Sequence, residues 1–367
     1  MKVFYLGCHN IFGEVNNGGI QGAKKNWELI VSNIGKENVF SAIICNEKKE
    51  IGHNVRYFKK ADGNMKAVVS NLCLCRIYMP DEEKKILEYI ETISPDVVYF
   101  DASIFGKIVK KIQGRYKTVV FFHNVETSYA AHRLKREGIK LLPMYISTIY
   151  NEKLAIKYAD KIVGINTRDT KKIEKTYGRK VDALIPVGFH DSYCAEEVKR
   201  KKDKNLIFVG SYFGPNYDGV KWFVENVMDK LPEYNLKIIG RDFENVRNKL
   251  ERRNVKVIGT VKDISQYYYN NSLIVMPIRY GEGMKVKTAE AMMYGMTIFA
   301  TDEALEGYLV EKVEGIYRCN TSEDFVKNIL QHYQKEFHQE NAEVRKSFKE
   351  NNSFEVQRNI MRSVLGL

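Results

Sequence analysis

Apolar residues along this chain fall into short continuous runs that alternate with longer stretches of helical periodicity. The runs are rich in β-branched residues and are apolar throughout, rather than at every second position. Strands of that kind suit parallel sheets covered on both faces. The predicted strands are 2–7, 39–45, 96–101, 118–124, 161–166, 205–211, 236–240, 255–259, 273–277 and 297–301. Because the strand–helix alternation runs twice, we predict an α/β protein with two doubly wound domains.

The distribution of charge predicts where the domains meet. The segment EEVKRKKDKN, residues 196–205, is polar and basic and separates the two series of strands. Charged runs of this kind are usually solvated linkers. The predicted parts are an N-terminal domain at 1–198, a basic linker at 199–204, a C-terminal domain at 205–340 and a helix at 341–367 that packs back across the domains.

Composition narrows the class of protein. The 367 residues are 44 % hydrophobic and 28 % charged, which is typical of a globular protein with more than one core. The net charge of +12 admits nucleic acid, an anionic membrane surface or phosphorylated substrates as partners, and the alternative is a solvated lysine-rich surface without such a partner. The 23 tyrosines are scattered rather than interleaved with basic residues, which ranks nucleic acid low. No window reaches the ~18 apolar residues of a membrane span, so any membrane contact is predicted to be peripheral.

The cysteines give no sign of a metal site. Of the six, only Cys73 and Cys75 lie close together, and their spacing is not a usual zinc pattern. We predict reduced thiols in a cytoplasmic protein. The first residues, MKVFYLG, begin a strand and lack the apolar run of a signal peptide.

Ligands of open α/β sheets bind beyond the carboxyl ends of the strands, so the residues there are candidates for a site. After the first strand, Gly18, Gly19 and Gly22 lead into a helix, where backbone can approach an anion. His123 ends the fourth predicted strand and Glu126 follows it, and a histidine there can bond a polar ligand. The alternatives are a surface loop and a structural histidine.

In the second half, three strands end in glycine. Gly210 is followed by Ser211, Gly240 is followed by Arg241, and Gly259 ends the third strand. Glycine at these ends lets backbone lie close to a ligand. Ordinary tight turns would explain the same pattern.

The stretch GEGMKVKTAEAMMYG, residues 281–295, carries the densest chemistry. A helical pattern begins near Met284, after a loop loosened by Gly281 and Gly283. Amides at the start of that helix, together with nearby cations, are predicted to form a binding site for a diphosphate. The candidate cations are Arg279, Lys285 and Lys287.

Two acids in this stretch are separated by seven residues, Glu282 in the loop and Glu290 in the helix. A carboxylate at Glu290 can accept two hydrogen bonds from a ribose diol, and one at Glu282 can meet sugar hydroxyls. The alternative is an exposed helix with an ordinary Lys287–Glu290 pair, worth only ~0.3–0.5 kcal/mol.

Residues 277–307, PIRYGEGMKVKTAEAMMYGMTIFATDEALEG, resemble the E-x7-E signature of the retaining glycosyltransferases of family 4, of the kind that builds capsule and lipopolysaccharide. LIFVGSYFGPNYDGVKWF at 206–223 is similar to the opening of the same C-terminal domain, and FFHNVETSY at 121–129 resembles an N-terminal motif of that group. The resemblance implies the GT-B fold, in which two Rossmann-like domains face a central cleft.

The resemblance also implies roles for residues. His123, beside the anomeric centre, and Glu282, on the donor sugar, would be catalytic, Glu290 would hold the ribose, and Gly19 would bring backbone near the phosphates. Glu126 is a candidate on the acceptor side. The predicted donor-binding residues are Gly19, Gly210, Ser211, Arg241, Arg279, Gly283, Met284, Lys285, Lys287 and Glu290.

The chain departs from the family at one element. The family's G-R-x-x-x-x-K-G sequence supplies an arginine and a lysine, whereas this chain has Gly210-Ser211 and Pro215-Asn216 there. The cations that hold the diphosphate must therefore come from elsewhere, and Arg279, Lys285 and Lys287 are the candidates.

The predicted activity is transfer of a sugar, with retention, from a UDP- or GDP-linked donor to a saccharide acceptor, including a lipid-linked one, in bacterial surface polysaccharide synthesis. No cofactor and no metal are expected, since the chain has no D-x-D pair and cations can stabilise the leaving diphosphate. The basic and apolar segment 132–145 is predicted to contact the anionic inner face of the membrane, and the alternative is a solvated loop and helix. The alternatives are a GT-B sugar-nucleotide epimerase and a non-enzymatic basic protein that binds nucleic acid.

Overall fold

The chain forms two compact units. The computed structural model describes residues 1–13, 18–46, 54–281 and 283–367. Unit 1 comprises Met1–Ile185 together with Gln357–Leu367, and unit 2 comprises Pro186–Val356. The chain therefore leaves unit 1 after Ile185 and returns to it for its last residues.

Unit 1 is built around a parallel sheet of seven strands in the order β3-β2-β1-β4-β5-β6-β7. The strands are β1 (Val3–Gly7), β2 (Val39–Ile44), β3 (Val55–Phe58), β4 (Val97–Phe100), β5 (Lys117–Phe122), β6 (Lys161–Gly164) and β7 (Ala183–Leu184). The helices are α1 (Gly18–Ile34), α2 (Asn64–Leu72), α3 (Pro80–Ile93), α4 (Gly106–Ile112), α5 (Glu126–Glu137), α6 (Leu142–Tyr158) and α7 (Thr167–Tyr177). Apolar side chains of β1, β4 and β5 form the centre of its core, among them Phe4, Phe100 and Phe122.

Unit 2 is built around a parallel sheet of six strands in the order β10-β9-β8-β11-β12-β13. The strands are β8 (Asn205–Val209), β9 (Asn235–Ile239), β10 (Val255–Gly259), β11 (Leu273–Met276), β12 (Thr297–Ala300) and β13 (Ile316–Arg318). The helices are α8 (Gly214–Asn226), α9 (Arg247–Leu250), α10 (Ser265–Asn270), α11 (Val286–Met293), α12 (Asp302–Leu305), α13 (Ser322–Tyr333) and α14 (Ala342–Asn351). A last helix, α15 (Phe354–Leu365), begins in unit 2 and ends in unit 1.

Both sheets have the strand order of a doubly wound fold. In each, the order reverses beside the first strand of the unit, between β1 and β4 in unit 1 and between β8 and β11 in unit 2. The crevice that binds ligands in such sheets lies at the carboxyl ends of the strands at this reversal. Each unit therefore has one edge at which a site is expected.

The ten strands predicted from apolar runs are all present, and the predicted α/β class is confirmed. The sequence patterns missed β3, β7 and β13. All three lie at an edge of their sheet, are no longer than four residues, and are partly exposed. Edge strands need not be apolar on both faces, so they lack the continuous apolar run that reveals a buried strand.

The structure divides the chain elsewhere than at the predicted linker, 199–204. The division falls between Ile185 and Pro186, and the basic segment belongs to unit 2. Arg200 is buried there, because backbone carbonyls of unit 2 surround its guanidinium. Only part of the segment is solvated, so its charge did not mark a linker.

The predicted single helix at 341–367 is wrong, because α14 and α15 are separated at Asn352 and Ser353. The Asn352 side chain donates to the Val187 carbonyl oxygen at 2.7 Å, which fixes the bend. Within unit 1, the Lys161 ammonium donates to the carbonyl oxygens of Ser363 and Val364, so the end of α15 is anchored to β6.

Candidate functional site

Glycines bring the ends of β8 and β9 close together at the sheet reversal of unit 2. A Cβ on Gly240 would lie 1.9 Å from the Gly210 carbonyl oxygen, so only glycine fits there. Its φ of +147° also lies outside the range that other residues readily adopt. The glycines at these strand ends therefore serve close packing of backbone, and they leave room beside Gly210 for a neighbouring side chain.

That neighbour is Lys287, which reaches from α11 to the end of β8. Its ammonium donates to Asn216 Oδ1 near the start of α8 and lies 4.7 Å from the centre of the Phe208 ring. A Cβ on Gly210 would come within 2.7 Å of the Lys287 Nζ atom. Burial lowers the pKa of Lys287 to about 7. The lysine is thus held at the strand reversal with an ammonium that gives up its proton easily.

Lys287 lies beside the segment 210–217, where this chain lacks the arginine and lysine of the family's G-R-x-x-x-x-K-G element. Asn216, its partner, occupies the position of the family's lysine, and Gly210 adjoins the position of the arginine. The ammonium from α11 therefore lies beside both positions. Two helices also begin at this edge, and their first amide groups favour an anion.

Glu290 lies one turn further along α11. The Tyr268 hydroxyl donates to Glu290 Oε2 at 3.2 Å, and Tyr268 itself stacks on Tyr294 with ring centres 4.6 Å apart. Burial raises the pKa of the Glu290 carboxyl, while Tyr268 and Lys287 act to lower it. The carboxylate is therefore oriented and partly desolvated, unlike that of an exposed Lys–Glu pair on a helix surface.

The other predicted cations are placed differently. The Lys285 ammonium pairs with Glu303 Oε1 at 2.7 Å and donates to the Gly283 carbonyl oxygen at 2.8 Å. Arg279 is exposed, with its guanidinium 5.0 Å from the Trp222 ring. Arg241, also exposed, follows β9, and its Nε lies 3.6 Å from Asp242 Oδ2. The Lys287 ammonium, by contrast, reaches the end of β8.

The loop before α11 joins the site to the rest of unit 2. Gly283 has a φ of +65°, and Met284 is buried with its sulfur 3.5 Å from the Val187 amide nitrogen. Ser211 is exposed, and its carbonyl oxygen accepts from the Asn216 side chain at 2.8 Å. Glu282, the predicted catalytic acid of this loop, lies outside the described residues, so its role stays a prediction.

In unit 1, His123 lies at the carboxyl end of β5 and meets a buried acid. Its Nε2 atom is 3.2 Å from Asp101 Oδ2, just beyond β4. The second Asp101 oxygen accepts from the Asn26 side chain of α1 at 2.8 Å. A Cβ on Gly22 would lie 3.4 Å from His123 Nδ1. The imidazole therefore lies between α1 and the acid. Within the described residues, however, His123 Nε2 and Asp101 Oδ2 are both buried without a hydrogen-bond partner, so both remain available to a polar ligand.

Arg76 adds a cation to the same edge. It adopts a left-handed backbone conformation, with φ of +61°, and its Nε atom is buried without a hydrogen-bond partner in the part of the chain that the structure describes. Burial lowers its pKa and the charge of Glu126, the first residue of α5, raises it. Strained backbone and an unused buried donor are features of binding sites.

Further polar groups at this edge are unused. Among the described residues, Asn10 Nδ2 and Oδ1 and Asn124 Oδ1 are buried without partners. Gly19 is exposed in the first turn of α1. Burial raises the pKa of Cys8 to about 12, so its thiol is not a nucleophile at neutral pH. The edge offers hydrogen bonds to a polar ligand.

Sequence reasoning overlooked Asp101 and Arg76, and it named Asn216 only as a departure from the family's sequence element. Asp101 had a usable signal, an acid directly after an apolar strand. Arg76 had none, because it reaches the edge only through the turn after α2. No group of three or more His, Cys, Asp or Glu side chains that could hold a metal ion occurs within the described ranges.

Residues 203–335 match the family model of the glycosyl transferases group 1. This part of the chain is therefore similar to the group 1 glycosyl transferases. It contains Gly210, Lys287 and Glu290. No curated protein matches the sequence closely enough to count as a relative.

Solved structures resemble the chain over nearly its whole length. A sucrose-phosphate synthase from Thermosynechococcus elongatus has a TM-score of 0.70 at 13 % identity, covering 99 % of this chain and 98 % of that one. HepE from Anabaena, solved with UDP and glucose, has a TM-score of 0.66 at 12 % identity, covering 100 % of both chains. The lipopolysaccharide outer core galactosyltransferase WaaB has a TM-score of 0.66 at 15 % identity, covering 99 % of both.

These likenesses confirm the predicted GT-B fold. The group 1 match confirms the predicted resemblance to glycosyltransferases for the C-terminal unit. Membership of family 4 in particular stays a prediction, as do the roles assigned to individual residues.

Proposed function

We propose that this protein is a retaining glycosyltransferase that takes its sugar from a nucleotide-sugar donor. The observation that carries the proposal is the arrangement of Lys287 and Glu290 at the sheet reversal of unit 2, within the part of the chain that is similar to the group 1 glycosyl transferases. The partly desolvated cation suits a diphosphate, and the oriented carboxylate one turn away suits a ribose diol. UDP is the first nucleotide to test, since HepE was solved with UDP.

The chemistry follows from the charge that develops as the donor's sugar–phosphate bond breaks. The leaving nucleoside diphosphate gains negative charge, which the Lys287 ammonium and the amides at the start of α11 stabilise. Because these groups are fixed before the reaction, they need little reorganisation. We propose that the transfer needs no metal and that the acceptor attacks from the face the leaving group departs from, which retains the anomeric configuration.

The polar edge of unit 1 is proposed to handle the acceptor and the reacting sugar. His123, which lies beside Asp101, would bond the sugar, and Glu126 and Arg76 would bond the acceptor. The proposed acceptor is a saccharide, including lipid-linked ones, in the synthesis of a bacterial surface polysaccharide. The proposed location is the cytoplasm, at the inner face of the membrane.

The first test is a calorimetric screen of the protein against UDP, GDP, ADP and CMP. One nucleoside diphosphate is expected to bind at micromolar concentration, with or without EDTA. Sugars linked to that nucleotide are then incubated with the protein, and the anomer released by slow hydrolysis is followed by NMR. Retention of configuration in the first-formed product is expected. Absence of binding by all four nucleotides, or an inverted first product, would contradict the proposal.

Nucleotide binding is expected to weaken as the pH rises above neutrality. In the free protein the Lys287 pKa is about 7, with Lys285 acting to lower it and Glu290 to raise it. A bound diphosphate favours the charged ammonium and raises that pKa, so binding above pH 7 takes up a proton. Affinity should fall by up to about tenfold per pH unit until the pKa of the complex is reached.

Calorimetry at pH 8 in two buffers of different ionisation enthalpy measures that proton uptake directly. Uptake should disappear in Lys287→Met and persist in Lys285→Met, whose lysine is paired with Glu303. Equal proton uptake in both variants would show that a group other than Lys287 binds the proton.

A further inference from the structure

Helix α2 of unit 1 exposes apolar side chains and buries polar ones, the opposite of a usual amphipathic helix. Met65, Val68, Val69 and Leu72 recur at the spacing of one helical face, and all four are exposed. Met65 is 82 % exposed and Leu72 is 67 % exposed, whereas the polar Ser70 and Asn71 are buried. A helix of a globular protein normally buries its apolar stripe, so an exposed one indicates a partner.

A second exposed apolar stripe lies on the element against which α2 packs. That element is α6, and its stripe begins in the preceding 3₁₀ turn, Ile139–Leu141. Ile139 is 82 % exposed, and Leu142 and Ile146 continue the same face. We call the two stripes together the apolar platform, comprising Met65, Val68, Val69, Leu72, Ile139, Leu142 and Ile146.

Basic side chains accompany the apolar platform. Lys66 lies on α2, Lys135 and Arg136 end α5, and Lys140 lies in the turn, and all four are exposed. Two acids lie nearby. Asp62 is exposed just before α2, and Glu137 is already paired with Arg133 and Arg136, which lower its pKa to about 2. The platform therefore combines unpartnered apolar surface with cations, the composition of segments that bind anionic lipid.

We propose that the apolar platform docks on an anionic lipid bilayer, with α2 and the start of α6 entering the headgroup region side by side. This rests on the proposed function, since a lipid-linked acceptor would be met there. It extends the predicted contact at 132–145 to α2, which gave no such signal in the sequence. A second copy of the chain fits less well, because it would bring like charges together.

No helix within the described residues is long and apolar enough to cross a bilayer. The proposed contact is therefore at the membrane interface. Burial of apolar area and electrostatic attraction both contribute to the binding. Binding should accordingly require anionic lipid and weaken with salt.

The test is flotation of the full chain with vesicles of phosphatidylcholine alone or mixed with phosphatidylglycerol. The wild-type protein should float with the mixed vesicles at low salt and less at high salt. The double variant Met65→Glu, Leu72→Glu should partition at least about tenfold less. The matched control is the double variant Leu309→Glu, Leu330→Glu, which places two charges at exposed leucines of unit 2 and should float like wild type.

All of the changed side chains are exposed, and circular dichroism and nucleotide calorimetry check that each variant is folded. Failure of the wild type to float, or equal flotation of both variants, would overturn the proposal. A concentration-dependent dimer in sedimentation velocity that the double variant abolishes would assign the platform to a second copy. Nucleotide binding without flotation would contradict the platform alone, and flotation without nucleotide binding would contradict the proposed function alone.

Discussion

Replacing Glu290 with alanine is expected to weaken binding of the nucleoside diphosphate by about 10- to 100-fold. The carboxylate is desolvated and oriented by the Tyr268 hydroxyl, so a ribose diol meets an acceptor that needs no rearrangement. Hydrogen bonds to a charged group contribute about 1.5–3 kcal/mol, which sets the size of the effect. Titration calorimetry on the nucleotide identified in the screen measures the change.

Two comparisons make that result specific. Glu225→Ala removes a partly exposed carboxylate of the same unit, on α8, and should leave the affinity unchanged. The bare diphosphate lacks ribose, so Glu290→Ala should bind it nearly as well as wild type does at pH 6, where Lys287 stays charged without help from Glu290. Wild-type affinity of Glu290→Ala for the nucleotide would remove the ribose role, and equal losses for both ligands would show a general disturbance of α11.

Replacing Arg200 with alanine is expected to destabilise unit 2 by about 3–5 kcal/mol. The guanidinium makes five hydrogen bonds to four backbone carbonyls, those of Tyr268, Tyr294, Gly295 and Gln339. It thereby ties α10, the end of α11 and the segment before α14 to the start of the unit. Removing it leaves those acceptors buried, and a buried unpaired acceptor is costly.

The two tryptophans allow that loss to be assigned. Trp27 lies in unit 1 and Trp222 in unit 2, so fluorescence in a Trp27→Phe background reports unit 2 alone. Guanidinium titration should show a lower midpoint for Arg200→Ala. The control is the exposed neighbour, Lys201→Ala, whose midpoint should stay that of the background protein. Similar midpoints for both variants would mean that surrounding water replaces the guanidinium.

The contrast between Arg200 and its neighbours shows why the sequence located strands better than boundaries. A central strand is apolar on both faces, so every residue in it is apolar. Such a run can be recognised from the local sequence alone. The basic run around Arg200 looks the same in sequence whether its side chains are buried or solvated. Burial of the Arg200 guanidinium depends on carbonyls that lie about a hundred residues away in sequence.

The candidate site divides in the same way. Lys287 and Glu290 lie three residues apart on one helix, and their relation followed from helical spacing. The contact between Lys287 and Asn216 could not be predicted, because it joins two helices across a sheet reversal. Arg76 and Asp101 reach the edge of unit 1 through tertiary packing, which no local pattern records.

The return of the chain to unit 1 has a consequence for its synthesis. Residues 357–367 emerge from the ribosome after all of unit 2, yet the amide of Asn33 and the ammonium groups of Lys117 and Lys161 donate to backbone carbonyls there. Unit 2 is contiguous, so it can finish folding first, although its residues are translated later than most of unit 1. The first 185 residues therefore cannot complete their packing against residues 357–367 until synthesis has passed unit 2.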